Sequence, residues 1–502
     1  MLFDPVKGMS TQSELLDTYG SACRLKGVLG TDQLWISDPG AMHEILVKSH
    51  ERFRQPDFII TIEYIDRDRQ VPPTPIESTN IDYFAGHKHR MQRKTPAATA
   101  VAHKLKKAIG LEINSQGGNS GTLDLFRWLN ATALEVVGEA GFNYSFSALE
   151  PNNEHMKYLT ACHNLRTLLS KLWYLTPILP WAFKVGSARF RRMIVDCIPF
   201  GPVRELRDAV DIVDNVATKV YRDKRNELGK TPLNVGSQMS RDVMSSLLMQ
   251  NSIVSSEEAM NEEELISQVN AVTIAAHDST STALARTIYI LAQFPEFQSQ
   301  LREEVREAHE IHGEQLNYDQ LNSLPFLDAV CRESLRLYAP GLFLVRVAQE
   351  NCSIPLLYPA RPRDKKGEMT RVFVDKGTYI YLSLDGANRD LRTWGEDANV
   401  FRPSRWLDST PSNLHGSRMP GIYSSLMTFS GGPRACIGFR FSQLEMKLLL
   451  TTLVSSFKFE LSDAPIMWRL ESVPKPYVVF GTDEGVSSPS MPMRVTRLDK
   501  AG

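Results

Sequence analysis

Nowhere does the 502-residue chain hold the roughly 20 consecutive apolar residues that a membrane-spanning helix needs. Its opening, MLFDPVKGMSTQSELLDTYG, lacks the apolar core of a secretory leader, so no N-terminal transmembrane anchor is visible. None of the six cysteines (Cys23, Cys162, Cys197, Cys331, Cys352, Cys436) lies in a C-x-x-C pair, which removes zinc-ribbon and dithiol chemistry. Six thiols are also too few to staple a chain this long, which points to a reducing compartment. There is no excess of either charge: 57 Lys and Arg stand against 58 Asp and Glu, and nucleic acid is excluded as a bulk partner. Internal repeats, low-complexity segments and a flavin or nicotinamide phosphate-binding fingerprint are all missing.

What is present is a globular composition, 42% hydrophobic and 23% charged, able to bury a large core. Residues 21–48 read as a hairpin followed by a helix from Pro39 to Val47. The Pro-rich stretch from Arg54 to Gly86 is too long for an ordinary connection and belongs to a site or to a disordered loop. Helical periodicity then dominates to about residue 350. One helix begins near Asn261, where three glutamates favour the positive end of the helix dipole, and runs about 30 residues. A second spans 326–338 and a third follows Cys436. Strands are few: a hairpin is expected at 370–384 around Lys376-Gly377, and another strand at 476–481. The fold class is mainly α with a small β part.

The most informative segment is FSGGPRACIGFRFSQLEMK. Gly431, Gly432 and Pro433 shape a tight turn, and Cys436 follows at the start of a helix. Free N–H groups and the dipole there favour a thiolate. Gly438 leaves the backbone open to a flat ligand, Phe429 can cover the sulfur, and Arg434 can pair with an anion at the ligand's edge. Most lone cysteines are merely small buried hydrophobes. The spacing F-x-x-G-x-R-x-C-x-G, however, arises by chance only on the order of once in ten thousand.

On these residues the chain resembles the cytochrome P450 family, over about 19–480, and is most similar to the fungal microsomal type. The resemblance implies one P450 domain filling residues 1–502, folded around a buried haem b (iron protoporphyrin IX), with Cys436 as the iron's axial ligand. E-x-x-R falls on Glu333 and Arg336, and FRPSRW supplies Arg405, an implied structural cluster. The long helix carries AAHDST: Ala275 and Ala276 let a flat cofactor approach, and Asp278, Ser279 and Thr280 fall on the oxygen-activating stretch. Two departures stand out, Ser279 where the family has its threonine and Ala276 where it has glycine. A hydroxyl here can bond back to a carbonyl one turn earlier and make room for oxygen and water, while Asp278 links that water to solvent. Propionate partners fall on His89, Arg93, Arg346 and Arg434.

The implied reaction inserts one atom of O2 into an apolar small molecule, a secondary metabolite such as a terpenoid. Electrons would come from NADPH through a cytochrome P450 reductase docking on a basic patch that includes His87, Lys88, Arg90, Lys94, His103, Lys104, Lys106 and Lys107. Segment Leu172–Phe183 is rich in Trp and Pro and suits a membrane interface, giving peripheral contact on the cytoplasmic face of the endoplasmic reticulum. Two other readings stay open: a haem-thiolate isomerase or dehydratase that needs no reductase, and a haem-binding protein without catalysis.

Overall fold

The computed structural model describes residues 2–27, 30–56, 88–150, 153–171, 178–182, 184–230, 242–254, 259–360, 367–407, 419–479 and 488–498. Helices fill most of the stretch between Lys88 and Leu337, and the described strands form five small sheets. Mainly α with a small β part is therefore the observed class.

The long helix, Glu262–Gln293, measures about 48 Å at 1.5 Å per residue. Its start is written in its first four residues. The Asn261 side chain accepts from the Glu264 N–H at 2.9 Å, and the Glu264 carboxylate accepts from the Asn261 N–H at 2.7 Å. Leu284, Ile288 and Leu291 on its later turns are buried against the helix that follows Cys436, Phe439–Ser456, through Leu449, Leu450 and Leu453. Val101, Leu105 and Ile109 of helix Lys88–Ser115 close the same core, as do Leu327 and Val330 of helix Pro325–Leu337. Each such side chain contributes roughly 1.5–3 kcal/mol by leaving water.

The largest sheet orders its strands Ala22–Lys26, Asp32–Ile36, Tyr379–Ser383, Phe343–Ala348, Phe53–Arg54. The expected first hairpin is its outer edge, with Cys23 opposite Trp35. The helix after it, Pro39–His43, loosens into a π-helical turn at Glu44–Lys48. The hairpin expected at 370–384 is not one. Gly377 makes the turn with φ +86°, but Met369–Val374 pairs with Cys352–Ala360, whereas Tyr379–Ser383 pairs with Phe343–Ala348 and Asp32–Ile36. The turn chemistry was right and the partners were not, because strands 379–383 and 343–348 bury their apolar residues in a different sheet. The strand expected at 476–481 runs instead from Pro474 to Val478 and pairs with Ile466–Leu470.

Candidate functional site

Strand Leu426–Gly431 delivers the cysteine loop, and a 3-10 turn at Gly432–Arg434 aims it. Gly432 sits at φ +71°, and a Cβ there would meet the Leu46 carbonyl oxygen at 2.0 Å. The loop thus rests directly on the π-helical turn, and only glycine allows both the angle and the approach. The Cys436 N–H donates to the Phe429 carbonyl at 2.8 Å, closing the loop on itself. Phe429 is buried between Tyr423 and Phe439, with ring centroids at 5.8 and 6.2 Å. Arg434 is half-buried on the 3-10 turn.

Cys436 lies just ahead of the helix, whose N-cap is Gly438. Burial pushes its thiol up, and the Gly438 N–H pulls it in the other direction with less force. The expectation that the helix start favours a thiolate is thus corrected for the protein by itself: desolvation outweighs the N–H. The residue is nevertheless accessible. Chain neighbours and its own helix aside, a Cβ at Gly438 would find no described residue's atom nearer than Cys436 Sγ, at 4.0 Å, which leaves room beside the thiol for a flat group.

On the long helix, Ala275 is exposed and Ala276 and Ser279 half-buried, although their neighbours His277, Asp278 and Thr280 are buried. Residues 275 and 279 share a face. That face offers small side chains and one hydroxyl, and Ser279 Oγ donates to the Ala275 carbonyl at 2.7 Å, the back-bond expected. Asp278 points elsewhere. Its carboxylate lies 3.2 Å from Lys475 Nζ, and both side chains are almost fully buried. Lys475 in turn reaches Glu471 at 3.5 Å and His163 Nδ1 at 3.3 Å. Any link from Asp278 to solvent is therefore indirect, running through Lys475 to His163, the most exposed member of the group. Sequence reasoning missed Lys475, although a lysine between two prolines in an otherwise apolar strand (PKPYVV) was a signal.

Arg346 is buried on strand Phe343–Ala348, opposite Ile380, and donates from Nη1 to the Val345 carbonyl. His89 and Arg93 fall in helix Lys88–Ser115, but their side chains lie outside the described residues. Beneath the cysteine loop the Glu333 cluster forms as expected. Glu333 accepts from Arg336 at 2.7 and 2.9 Å and from Arg405 at 3.4 Å, and also from the Trp406 indole at 2.9 Å.

These residues fit a haem in their chemistry: an accessible thiol, a helix face of small residues and a buried arginine. The comparisons agree. The Cytochrome P450 family model matches residues 6–473. Cytochrome P450 monooxygenase 81 of Postia placenta is 34% identical over 97% of this chain and 88% of its own. Ganoderic acid synthetase of Ganoderma lucidum is 35% identical over 96% of this chain and 88% of its own. A P450 monooxygenase of Hericium erinaceus is 30% identical over 94% and 87%.

Proposed function

Because the chain belongs to the cytochrome P450 family and is a haem-dependent monooxygenase, we propose that it oxygenates an apolar secondary metabolite such as a terpenoid, with electrons from an NADPH-dependent cytochrome P450 reductase. The observation that carries the reading is Cys436, accessible, closed on Phe429 by its own N–H and faced by the Gly438 N–H. When bound, the haem supplies oxygen activation through its iron–thiolate bond. The chain's own residues do the rest. Arg346 and Arg434, with His89 and Arg93, hold the propionates. Ser279 offers a hydroxyl on the open face, and the buried group of Asp278, Lys475 and His163 behind it would link the interior to solvent. The ganoderic acid synthetase among the relatives favours secondary metabolism.

The test is turnover with and without reductase and NADPH, under isotopically labelled O2. Product should form only with both and carry one labelled oxygen. Turnover that needs no reductase would favour an isomerase or dehydratase, and turnover of polar molecules alone would remove the apolar class. In the same assay, Lys475→Met should lower product formed per NADPH consumed, because Asp278 is left buried without its cation.

In the described part of the basic patch, His103, Lys104 and Lys107 are exposed and Lys106 is half-buried, and this face is offered to the reductase for docking, although Lys104 already leans on Glu139 at 3.4 Å. Among the described residues no helix is long and apolar enough to cross a membrane. Contact with the cytoplasmic face of the endoplasmic reticulum falls instead to Ile178, Trp181 and the stripe Phe190, Met193, Ile194 on helix Ala188–Cys197, all exposed. Residues 172–177 of that stretch lie outside the described residues. The protein should float with liposomes, and Trp181→Ser with Met193→Ser should sediment. Equal flotation of both would place membrane contact elsewhere.

A further inference from the structure

Two turns beyond Ser279 the long helix carries a cation that no described residue pairs with. Arg286 makes no hydrogen bond and no ion pair to any described residue; its guanidinium stacks 3.6 Å over the Trp468 ring and 4.5 Å over Tyr338. It lines a cavity of about 260 Å³ closed on one side by helix Gly8–Tyr19. The other charges in the wall already cancel, since Arg389 pairs with Asp385 at 2.9 Å, so the lining keeps one net positive charge. Three further polar atoms in side chains of the same wall have no hydrogen-bond partner: Gln12 Oε1, Thr282 Oγ1 and Trp468 Nε1. Burial pushes the Arg286 guanidinium down to about 9, which leaves it charged at neutral pH. A charge held this way costs stability unless something pairs with it.

We infer that this cavity binds a monocarboxylate with an apolar body, its carboxylate forked on the Arg286 guanidinium. One free cation matches a single negative charge. The planar fork matches a carboxylate in bidentate geometry. Met9, Leu337, Leu342 and Pro474 give the apolar body its walls. Seven residues at 100° each bring Arg286 back to the helix face of Ser279, about 10.5 Å along the axis. The carboxylate is thus either the tail of the substrate or a separate effector. The site goes beyond the oxygenase reading and can be measured without turnover.

The experiment titrates octanoate, with 1-octanol as the uncharged control, into the full-length haem-loaded protein by calorimetry. One octanoate site per chain is expected. Arg286→Met keeps the apolar stem against Trp468 and Tyr338, and should weaken octanoate about 10- to 100-fold, the range of one charge-assisted hydrogen bond, while leaving 1-octanol unchanged. Arg286→Lys should restore part of the loss. Leu342→Trp, which fills the cavity without touching the charge, should exclude both ligands. Equal octanoate affinity in the wild type and Arg286→Met, or in the wild type and Leu342→Trp, overturns the inference, as does the absence of octanoate binding at millimolar concentration. A haem absorption shift on saturation identifies a substrate tail, and saturation without a shift identifies an effector; either outcome upholds the site.

Discussion

Replacing Cys436 by alanine abolishes turnover and removes the red-shifted, thiolate-type band of the reduced haem protein under carbon monoxide, while leaving the fold in place. The fold survives because the loop is not held by the sulfur. Its closure is the Cys436 N–H bond to Phe429, which alanine makes equally well. Its seat is Gly432 on the Leu46 carbonyl, and its cover is the aromatic group of Tyr423, Phe429 and Phe439. In the protein without haem the change in unfolding free energy should stay within about 0.5 kcal/mol, because the loop's own contacts are kept.

Neither Cys331 nor Cys23 is suited to take over the ligand's place. Burial pushes Cys331 up to about 12 and Cys23 to about 11, and neither lies in a turn that opens a flat space beside it. The absorption spectrum of both proteins, reduced and under carbon monoxide, is the measurement. A thiolate band that persists in Cys436→Ala, or a histidine-type band in the wild type, would remove the premise of the whole site.

How much of this was legible beforehand follows from the range of each signal. The cysteine loop, the E-x-x-R pair and the start of the long helix are local: their chemistry lies within about ten residues, and periodicity and capping report it directly. Arg405 was reachable only through the resemblance, since about 70 residues separate it from Glu333. The partner of Asp278 was not reachable at all. Lys475 stands almost 200 residues away on a strand whose pairing depends on tertiary packing. The same limit split the 370–384 segment, where a correct turn joins two sheets instead of two paired strands. Arg286 was invisible for the opposite reason. An arginine in an amphipathic helix reads as a solvated residue until the structure shows two aromatic rings against it and no carboxylate paired with it among the described residues.

Glu333→Ala should yield little or no folded haem protein. Glu333 and Arg336 are wholly buried and Arg405 nearly so. The two guanidiniums share one carboxylate, which also accepts the Trp406 indole N–H and the Arg402 backbone N–H. Arg336 further donates to the carbonyls of Asn388 and Ala398, tying helix Pro325–Leu337 to the segment leading to the cysteine loop. Burial drives the Arg336 guanidinium down and Glu333 opposes that shift, so the carboxylate is what keeps the cation tolerable inside. Truncating it strands the buried Arg336 charge, leaves Arg405 with Asp397 alone at 3.0 Å and orphans two N–H donors, at a cost of about 3–5 kcal/mol. Whole domains hold only about 5–15 kcal/mol, so most of the margin goes at once. Glu333→Gln keeps the volume and one acceptor oxygen but loses the charge, and should fall between the two. Arg336→Lys should fail nearly as badly as the alanine variant, because one ammonium cannot replace a fork that meets both carboxylate oxygens and three carbonyls. The measurement is the yield of haem-loaded protein together with its thermal midpoint. A Glu333→Ala protein with wild-type yield and midpoint would mean that the cluster is a consequence of the fold and not one of its supports.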